Sequence, residues 1–234
     1  MIKAILLDIE GTTSPISFVM ETLFPYALQR LRDFVLANFE SSDFESTLNC
    51  LFKEYEHETD ESVPKWAAPE DSEGAIAYLE WLMAQDRKST CLKIIQGLIW
   101  KGGFECGDLK GEFFEDVPLA LEAWTSAGLK VYIFSSGSVL AQKQLFGFSR
   151  FGDLTRFLSG HFDTATGPKR VAASYVQIAD EIGLELAEIL FISDIPEELA
   201  AAREAGMDVR LSIRPGNKAV ESSEFERIES FDLI

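Results

Sequence analysis

Short apolar segments that end in polar residues recur along this chain and alternate with amphipathic segments. KAILLD (3–8), LKVYIFSS (129–136), EILFISD (188–194) and MDVRLSI (207–213) each have the length and composition of a buried strand. Helix-like segments of about 10–15 residues separate the last three. This alternation predicts an α/β fold with a doubly wound parallel sheet that is covered by helices on both faces.

Three of these predicted strands end at carboxylate or hydroxyl side chains, which can bind a ligand or act in catalysis. Asp8, Ser135 and Asp194 each follow the apolar part of a strand. In open α/β sheets, ligands bind outside the carboxyl ends of the strands. The sequence therefore predicts a functional site at this edge of the sheet.

About 100 residues between the first and second strands are helical in pattern. Apolar residues recur at spacings of three and four over 20–40, 72–87 and 89–103, and the last of these segments is expected to stop at paired glycines. We therefore predict a Rossmann-like catalytic core formed by 1–15 and 116–234. An all-helical cap, 16–115, is inserted after the first strand.

Net charge and cysteine usage restrict the partners of the chain. The net charge of −18 argues against nucleic acid and anionic membrane surfaces, so an anionic substrate would need a local cation or metal ion. Three widely separated cysteines suit reduced thiols better than disulfides, and no histidine stands near them at zinc-site spacing. With no signal peptide or membrane-spanning run apparent, a cytoplasmic monomer without a structural zinc is expected.

The two acids that close the first strand suit phosphate-ester cleavage. A carboxylate at Asp8 could act as a nucleophile and pass through an aspartyl-phosphate. Glu10, two residues later, can point back toward the same opening and serve as general acid and base. Because carboxylate and phosphate repel each other, such chemistry needs a divalent cation, and Mg²⁺ suits oxygen ligands.

The later strand ends and one predicted helix start supply the remaining groups. Ser135 and Ser136 can donate hydrogen bonds to phosphate, and Lys169 is predicted to begin a helix whose dipole also favours an anion. Asp194 would hold the metal ion. Glu198, one helical turn later, would support it through a neighbouring ligand.

Each of these residues also has an ordinary explanation. Asp8 favours a turn, the serines suit a loop, Lys169 could be a solvated surface lysine, and Asp194 could cap a helix. Their joint occurrence at three strand ends and one helix start favours the functional interpretation. A receiver domain also phosphorylates an aspartate, but it is about half as long and carries no helical insertion. No G-x-G-x-x-G follows the first strand, which disfavours dinucleotide binding.

The segments LLDIEGTT, FSSGS, GPK and FISD resemble, in order, the four motifs of the haloacid dehalogenase-like phosphatases. Longer segments resemble the acireductone synthases, which are the enolase-phosphatases of methionine salvage. These segments are DIEGTTSPISFV, QGLIWKGGFECGDLKGEFFEDVP, SSGSVLAQKQLFG, GHFDTATGPK and IRPGN. The resemblance covers nearly the whole chain and is weakest over 38–75.

The resemblance implies one Mg²⁺ per chain, held by Asp8, Asp194 and Glu10, the last through its main-chain carbonyl. It also implies that Ser135, Ser136 and Lys169 bind substrate. The second acidic position of the first motif is commonly aspartate and is glutamate here. The metal motif has Ser193 where many members carry glycine, which leaves the role of the aspartate intact.

The same resemblance implies a hydrolase with enolase activity. Its substrate would be 2,3-diketo-5-methylthiopentyl-1-phosphate, which is first enolised and then hydrolysed to the acireductone and phosphate. Glu10 is one candidate for the base that removes the carbon-bound proton. A phosphatase that acts on another small phosphate ester is the alternative. The cap would select the methylthio group, with Trp100 and Lys101 at a lid edge or Trp100 packed in the core of the cap.

Overall fold

The computed structural model describes residues 1–220 and 224–234, and these form a parallel sheet of six strands. The strands are ordered β3-β2-β1-β4-β5-β6, and every neighbouring pair is parallel. Their bounds are β1 Ala4–Leu7, β2 Lys130–Phe134, β3 Leu158–Phe162, β4 Ile189–Ser193, β5 Asp208–Ser212 and β6 Arg227–Ile228. The predicted fold class is confirmed.

Strand β1 lies in the middle of the sheet because its side chains are apolar on both faces. Residues 4–7 are all fully buried, as a strand covered on both faces requires. Leu7 is in register with Ile133 of β2 on one side and with Ile192 of β4 on the other. Chain order reverses between β1 and β4, and such a switch point is where ligands bind in open α/β sheets.

Within the described ranges, four helices pack on the sheet. Helices α7 and α8 contribute to the apolar core with Leu6, Phe134 and Phe191, while α5 packs against β2. Pro196 stands in the first turn of α8, and Gly206 ends that helix in the left-handed region. The bounds are α5 Asp116–Ser126, α6 Val139–Gly147, α7 Ala172–Ile182 and α8 Pro196–Ala205.

The chain divides into two compact units, Met1–Met20 with Gly107–Ile234, and Glu21–Cys106. The unit that contains the sheet thus extends beyond the predicted 1–15 and 116–234 by residues 16–20 and 107–115. A π-helical segment, Phe18–Leu23, precedes the first α-helix. The helices of the second unit are α1 Phe24–Asn38, α2 Ser42–Glu56, α3 Ser72–Ala84 and α4 Thr90–Cys106.

The helical unit, Glu21–Cys106, differs from the sequence expectation in two places. Helix α4 continues through Gly102 and Gly103 to Cys106 instead of stopping there. Gly103 lies close to Tyr26, since a Cβ at this position would be 2.7 Å from ring atoms. Helix α2 was not predicted. Its apolar positions Phe44, Leu48 and Leu51 stand among many polar residues.

Trp100 packs within the helical unit itself. Its indole Nε1 donates a hydrogen bond to the carbonyl of Leu23 at 2.8 Å, and its ring lies against Phe24 with centroids 6.2 Å apart. Trp100 therefore packs against the core of its own unit, which is the second of the two predicted alternatives. Among the described residues, no helix combines the length and apolarity that crossing a membrane requires.

Candidate active site

Asp8 is buried at the end of β1. Only 5% of the residue's surface is exposed. Its backbone N–H donates to the carbonyl of Ile192 at 3.0 Å and so continues the pairing of β1 with β4. The chain then turns sharply, with the amides of Thr12, Thr13 and Ser14 all directed to the carbonyl of Ile9. This turn fixes the Asp8 carboxylate at the predicted edge of the sheet.

Lys169 lies directly against Asp8. Its ammonium Nζ is 2.5 Å from Asp8 Oδ1 and 2.6 Å from Glu198 Oε2. The expectation that Lys169 begins a helix is wrong, because α7 begins at Ala172 and Lys169 belongs to the preceding turn. Tyr175 of α7 donates from its hydroxyl to the Lys169 carbonyl at 2.6 Å, which anchors that turn to the helix.

Ser193 joins the groups contributed by β1 and α8. Its Oγ is 3.0 Å from Glu198 Oε2 and 3.3 Å from Asp8 Oδ2, and it accepts a hydrogen bond from the backbone N–H of Ile195 at 3.1 Å. A glycine at this position would leave those carboxylate oxygens without the hydroxyl. From the sequence alone, Ser193 is only a departure from the motif, and no contact is predicted for it.

Burial and mutual repulsion perturb the acids of the site. Burial, followed by the charges of Asp8 and Glu198, raises the pKa of Asp194 to about 7. Burial and the charge of Asp8 likewise raise the pKa of Glu198 to about 7. Although burial alone would lower the pKa of Lys169, the two carboxylates that it contacts raise it above its usual value. Lys169 is therefore a permanent cation, and the site is rich in negative charge.

This charge distribution fits a divalent cation. Fully ionised, Asp8, Asp194 and Glu198 carry −3 and Lys169 carries +1, so the four buried groups sum to −2. Asp194 Oδ1 is buried without a hydrogen-bond partner in the described part of the chain. A buried, unpartnered carboxylate oxygen beside a second carboxylate is the kind of ligand that Mg²⁺ takes.

The other predicted site residues occupy neighbouring strand ends and turns. Ser135 is buried after β2, where its Oγ accepts from the Gly137 amide at 3.1 Å. Ser136 and Glu10 have exposed side chains. The register of β1 with β2 places the serines beside the strand end that carries Asp8.

Gly11 allows a close approach between the turn after β1 and the end of β4. Its φ is +74°, and a Cβ at this position would lie 2.4 Å from Asp194 Oδ2 and 2.9 Å from Asn217 Oδ1. Asn217 donates from Nδ2 to the Gly11 carbonyl at 2.9 Å. Sequence reasoning assigned Asn217 no role, although its segment IRPGN belongs to the family resemblance.

Replacing Gly11 with alanine is expected to destabilise the protein more than the same change at Gly183. Both glycines have nearly the same positive φ, +74° and +75°, but an added Cβ meets nothing within 4 Å at Gly183. The shared backbone strain therefore cancels, and the clash with Asp194 should cost Gly11→Ala about 1–3 kcal/mol more. Urea unfolding of both variants measures the difference, and equal losses would show that Asp194 moves aside freely.

Arg214, also in the IRPGN segment, ties this turn to the rest of the sheet-containing unit. Its Nε donates to the carbonyl of Thr12 at 3.2 Å, and its Nη2 is 2.8 Å from Asp116 Oδ2. The guanidinium also lies over the rings of Phe114 and Phe231, at 4.8 and 4.5 Å from their centroids. Asp116 thus holds the Arg214 guanidinium, which in turn supports the turn that follows Asp8 through its hydrogen bond to Thr12.

Asp116→Asn is expected to lower stability near neutral pH but not in acid. Although burial alone would raise the pKa of Asp116, the ion pair with Arg214 and the hydrogen bond from the Phe231 amide hold it below the usual value of 3.8. A lowered carboxyl pKa stabilises the fold above the unfolded-state pKa, and this contribution is lost as the pH falls through the folded-state pKa. The variant should lose about 1–3 kcal/mol at pH 7 and much less near pH 3.

Denaturant unfolding at both pH values measures this effect. Asp208→Asn, the same change on an exposed residue of β5, is the control. A loss that stays constant with pH would contradict the ionic origin of the stabilisation.

The sequence and the structure both match known proteins. The sequence pattern of the haloacid dehalogenase-like hydrolase family matches residues 2–206. The chain is 51% identical over 233 residues to enolase-phosphatase E1 of Synechococcus elongatus, covering 100% of this chain and 98% of that protein. It is 46% identical over 232 residues to enolase-phosphatase E1 of Aquifex aeolicus, covering 99% and 98% of the two chains.

A solved structure supports the same relationship. The crystal structure of the UTR4 protein of Saccharomyces cerevisiae superposes with a TM-score of 0.81 at 33% sequence identity and covers 100% of both chains. Both units are therefore represented in this relative, in the same chain order.

Proposed function

The chain belongs to the haloacid dehalogenase-like hydrolases and, within them, to the enolase-phosphatase E1 family, and from this premise we propose its reaction. We propose that it converts 2,3-diketo-5-methylthiopentyl-1-phosphate and water into the acireductone 1,2-dihydroxy-3-keto-5-methylthiopentene and phosphate, in methionine salvage. The observation that carries the proposal is the buried Asp8 carboxylate held by Lys169 next to Asp194.

The ester would be cleaved in two displacements at phosphorus. An Asp8 carboxylate oxygen attacks the phosphorus atom, the bond from phosphorus to the ester oxygen breaks, and Glu10 gives that oxygen a proton. Water then attacks the aspartyl-phosphate, loses its proton to Glu10, and releases phosphate with the Asp8 carboxylate restored. Lys169, Ser135 and Ser136 supply positive charge and hydrogen bonds to the phosphoryl oxygens.

We assign one Mg²⁺ per chain to this site. Asp8, Asp194 and the main-chain carbonyl of Glu10 would be its protein ligands, and Glu198 would support the site through Lys169 and Ser193. When bound, the cation neutralises the repulsion between the Asp8 carboxylate and the substrate phosphate. Two features support this assignment: the buried charge, which is −2 when all three acids are ionised, and the Asp194 Oδ1 atom, which has no hydrogen-bond partner among the described residues.

Enolisation precedes hydrolysis and needs a base for a carbon-bound proton. We assign this role to Glu10, which lies in the turn two residues after Asp8 and has an exposed side chain. The extra methylene of glutamate, compared with aspartate, extends its reach toward the substrate.

We also propose that the enzyme acts as a monomer in the cytoplasm. All three cysteines are free thiols, which suits a reducing compartment. The net charge of −18 disfavours nucleic acid as a partner, so a small phosphate ester is the expected ligand.

The reaction is tested by mixing the purified protein with the diketo phosphate and Mg²⁺ under anaerobic conditions. Enol absorbance and free phosphate are followed together, and Glu10→Gln is run in parallel. We expect the enol to form first and phosphate to follow, with enol formation slowed in the variant. If Glu10→Gln forms the enol at the full rate, another group is the base.

A plain phosphatase for another small ester gives a different result. It would release phosphate from simple esters, and no enol would form from the diketone. That outcome would preserve the role of Asp8 and overturn the assignment to methionine salvage.

A further inference from the structure

Two cysteines and a glutamate that are distant in sequence converge in the helical unit. Cys50 and Glu54 are four residues apart on α2 and so share one face of that helix, while Cys91 is the second residue of α4. One ligand atom from each, the two Sγ atoms and a carboxylate oxygen, lie within 4.8 Å of one another. Because 40 residues separate the two cysteines, the sequence spacing does not match any closely spaced zinc motif.

The three side chains extend from the surface of the helical unit into its interior. Cys91 is fully buried, Glu54 is partly buried, and Cys50 is exposed. The Glu54 carboxylate accepts hydrogen bonds from the Ser89 hydroxyl and, at 3.4 Å, from the Cys91 amide. Because a carboxylate has about four lone-pair positions, it can keep a hydrogen bond and still bind a cation.

We propose that Cys50 Sγ, Cys91 Sγ and the Glu54 carboxylate form a binding site for a thiophilic divalent cation of the zinc type. Bond lengths of about 2.3 Å to sulfur and 2.0–2.2 Å to oxygen put tetrahedral ligand atoms about 3.6–3.8 Å apart. The observed limit of 4.8 Å therefore requires a contraction of at most about 1.2 Å. Rotation of the exposed Cys50 side chain can supply much of it, and water can take the fourth position.

The ligand set distinguishes this site from the one at the sheet. Two thiolates favour a soft or borderline cation, whereas the all-oxygen groups around Asp8 favour Mg²⁺. Binding would release the thiol protons and cross-link α2 to α4, which would stabilise the helical unit. The proposal uses none of the residues assigned to phosphate chemistry, so either can fail without the other.

Cadmium is the probe because its bonds to thiolates give a near-ultraviolet charge-transfer band that oxygen ligands do not give. The reduced protein, stripped with a chelator and then held in excess Mg²⁺, is titrated with Cd²⁺ and, by calorimetry, with Zn²⁺. Cys50→Ser is the test variant, since Cys50 is exposed and its loss should not impair folding. Cys106→Ser, the other exposed cysteine, is the matched control.

We expect one equivalent of Cd²⁺ to produce the band in the wild type and in Cys106→Ser, and little or no band in Cys50→Ser. Affinity for Zn²⁺ should fall in Cys50→Ser by more than the roughly 10–100-fold that losing a merely supporting group costs. Bound Zn²⁺ should also protect Cys50 from alkylation while Cys106 in the same molecule still reacts.

Several results would overturn the site. They are no thiolate band at one equivalent, an equal band in Cys50→Ser, or alkylation of Cys50 that Zn²⁺ does not slow. Glu54→Gln separates the carboxylate from the thiols, and we expect weaker Zn²⁺ binding with the cadmium band retained. Unchanged Zn²⁺ affinity in Glu54→Gln would remove the glutamate from the ligand set and overturn the three-ligand proposal.

Discussion

Asp8→Asn is expected to lower phosphate release by on the order of 10⁴-fold or more, as the loss of a covalent nucleophile typically does. An amide is a poor nucleophile and cannot form the aspartyl-phosphate. Its oxygen can still accept from Lys169, which lies 2.5 Å from Asp8 Oδ1, and can still bind a cation. Enolisation needs no bond to Asp8, so the phosphorylated enol should accumulate. Simultaneous records of enol absorbance and free phosphate measure both effects.

The control for this experiment is Asp208→Asn, the same isosteric change on an exposed residue of the same sheet. It should leave both rates close to those of the wild type. Phosphate release by Asp8→Asn at a rate near that of the wild type would exclude Asp8 as the nucleophile. Loss of enol and phosphate together would instead show that Asp8 is needed before the ester is cleaved.

The sequence was sufficient to predict the sheet and the strand ends that carry the site. Strands β1, β2 and β4 are nearly continuous apolar runs, which are typical of strands that are buried on both faces. Strand β5 instead alternates apolar and polar residues, which is also a strand pattern. Strand β3 escaped prediction because it is an edge strand with Ser159, Gly160 and His161 in its middle. The C-terminal segment, for which no strand was predicted, forms β6 and a short 3₁₀ turn, Phe231–Leu233, in its described part.

The contacts within the site could not be predicted from local pattern. Lys169 and Asp8 are 161 residues apart, and Ser193 and Asp8 are 185 apart, so their hydrogen bonds depend on the order and register of the strands. The prediction that Lys169 begins a helix was also wrong. Pro168 and the following residues form a turn that delays the start of α7 to Ala172.

Lys169→Met and Asp194→Asn are expected to change the stability of the metal-free protein in opposite directions at pH 8. The lysine change takes the buried charge of the site from −2 to −3 and leaves Asp8 and Glu198 unpaired. Breaking a buried ion pair in this way costs about 3–5 kcal/mol. The aspartate change takes the charge to −1 and removes the carboxylate whose charged form is disfavoured. Urea unfolding in the presence of a chelator measures both changes.

The gain from Asp194→Asn should depend on pH with a defined sign. Because burial and the neighbouring carboxylates raise the Asp194 pKa from 3.8 to about 7, ionisation of Asp194 destabilises the fold increasingly as the pH rises between those values. Relative to the wild type, the variant should be equally stable near pH 4 and more stable by a few kcal/mol at pH 8. Asp208→Asn again serves as the control.

Magnesium ions should reverse this order of stability. The wild type gains free energy of unfolding in proportion to the logarithm of the Mg²⁺ concentration once its site fills, whereas Asp194→Asn, which lacks a ligand, gains little. The buried negative charge that the metal-free protein tolerates would thus be the feature that creates affinity for the cation, at a cost in stability. If Asp194→Asn is less stable than the wild type at pH 8 without metal, the electrostatic account of the site is wrong.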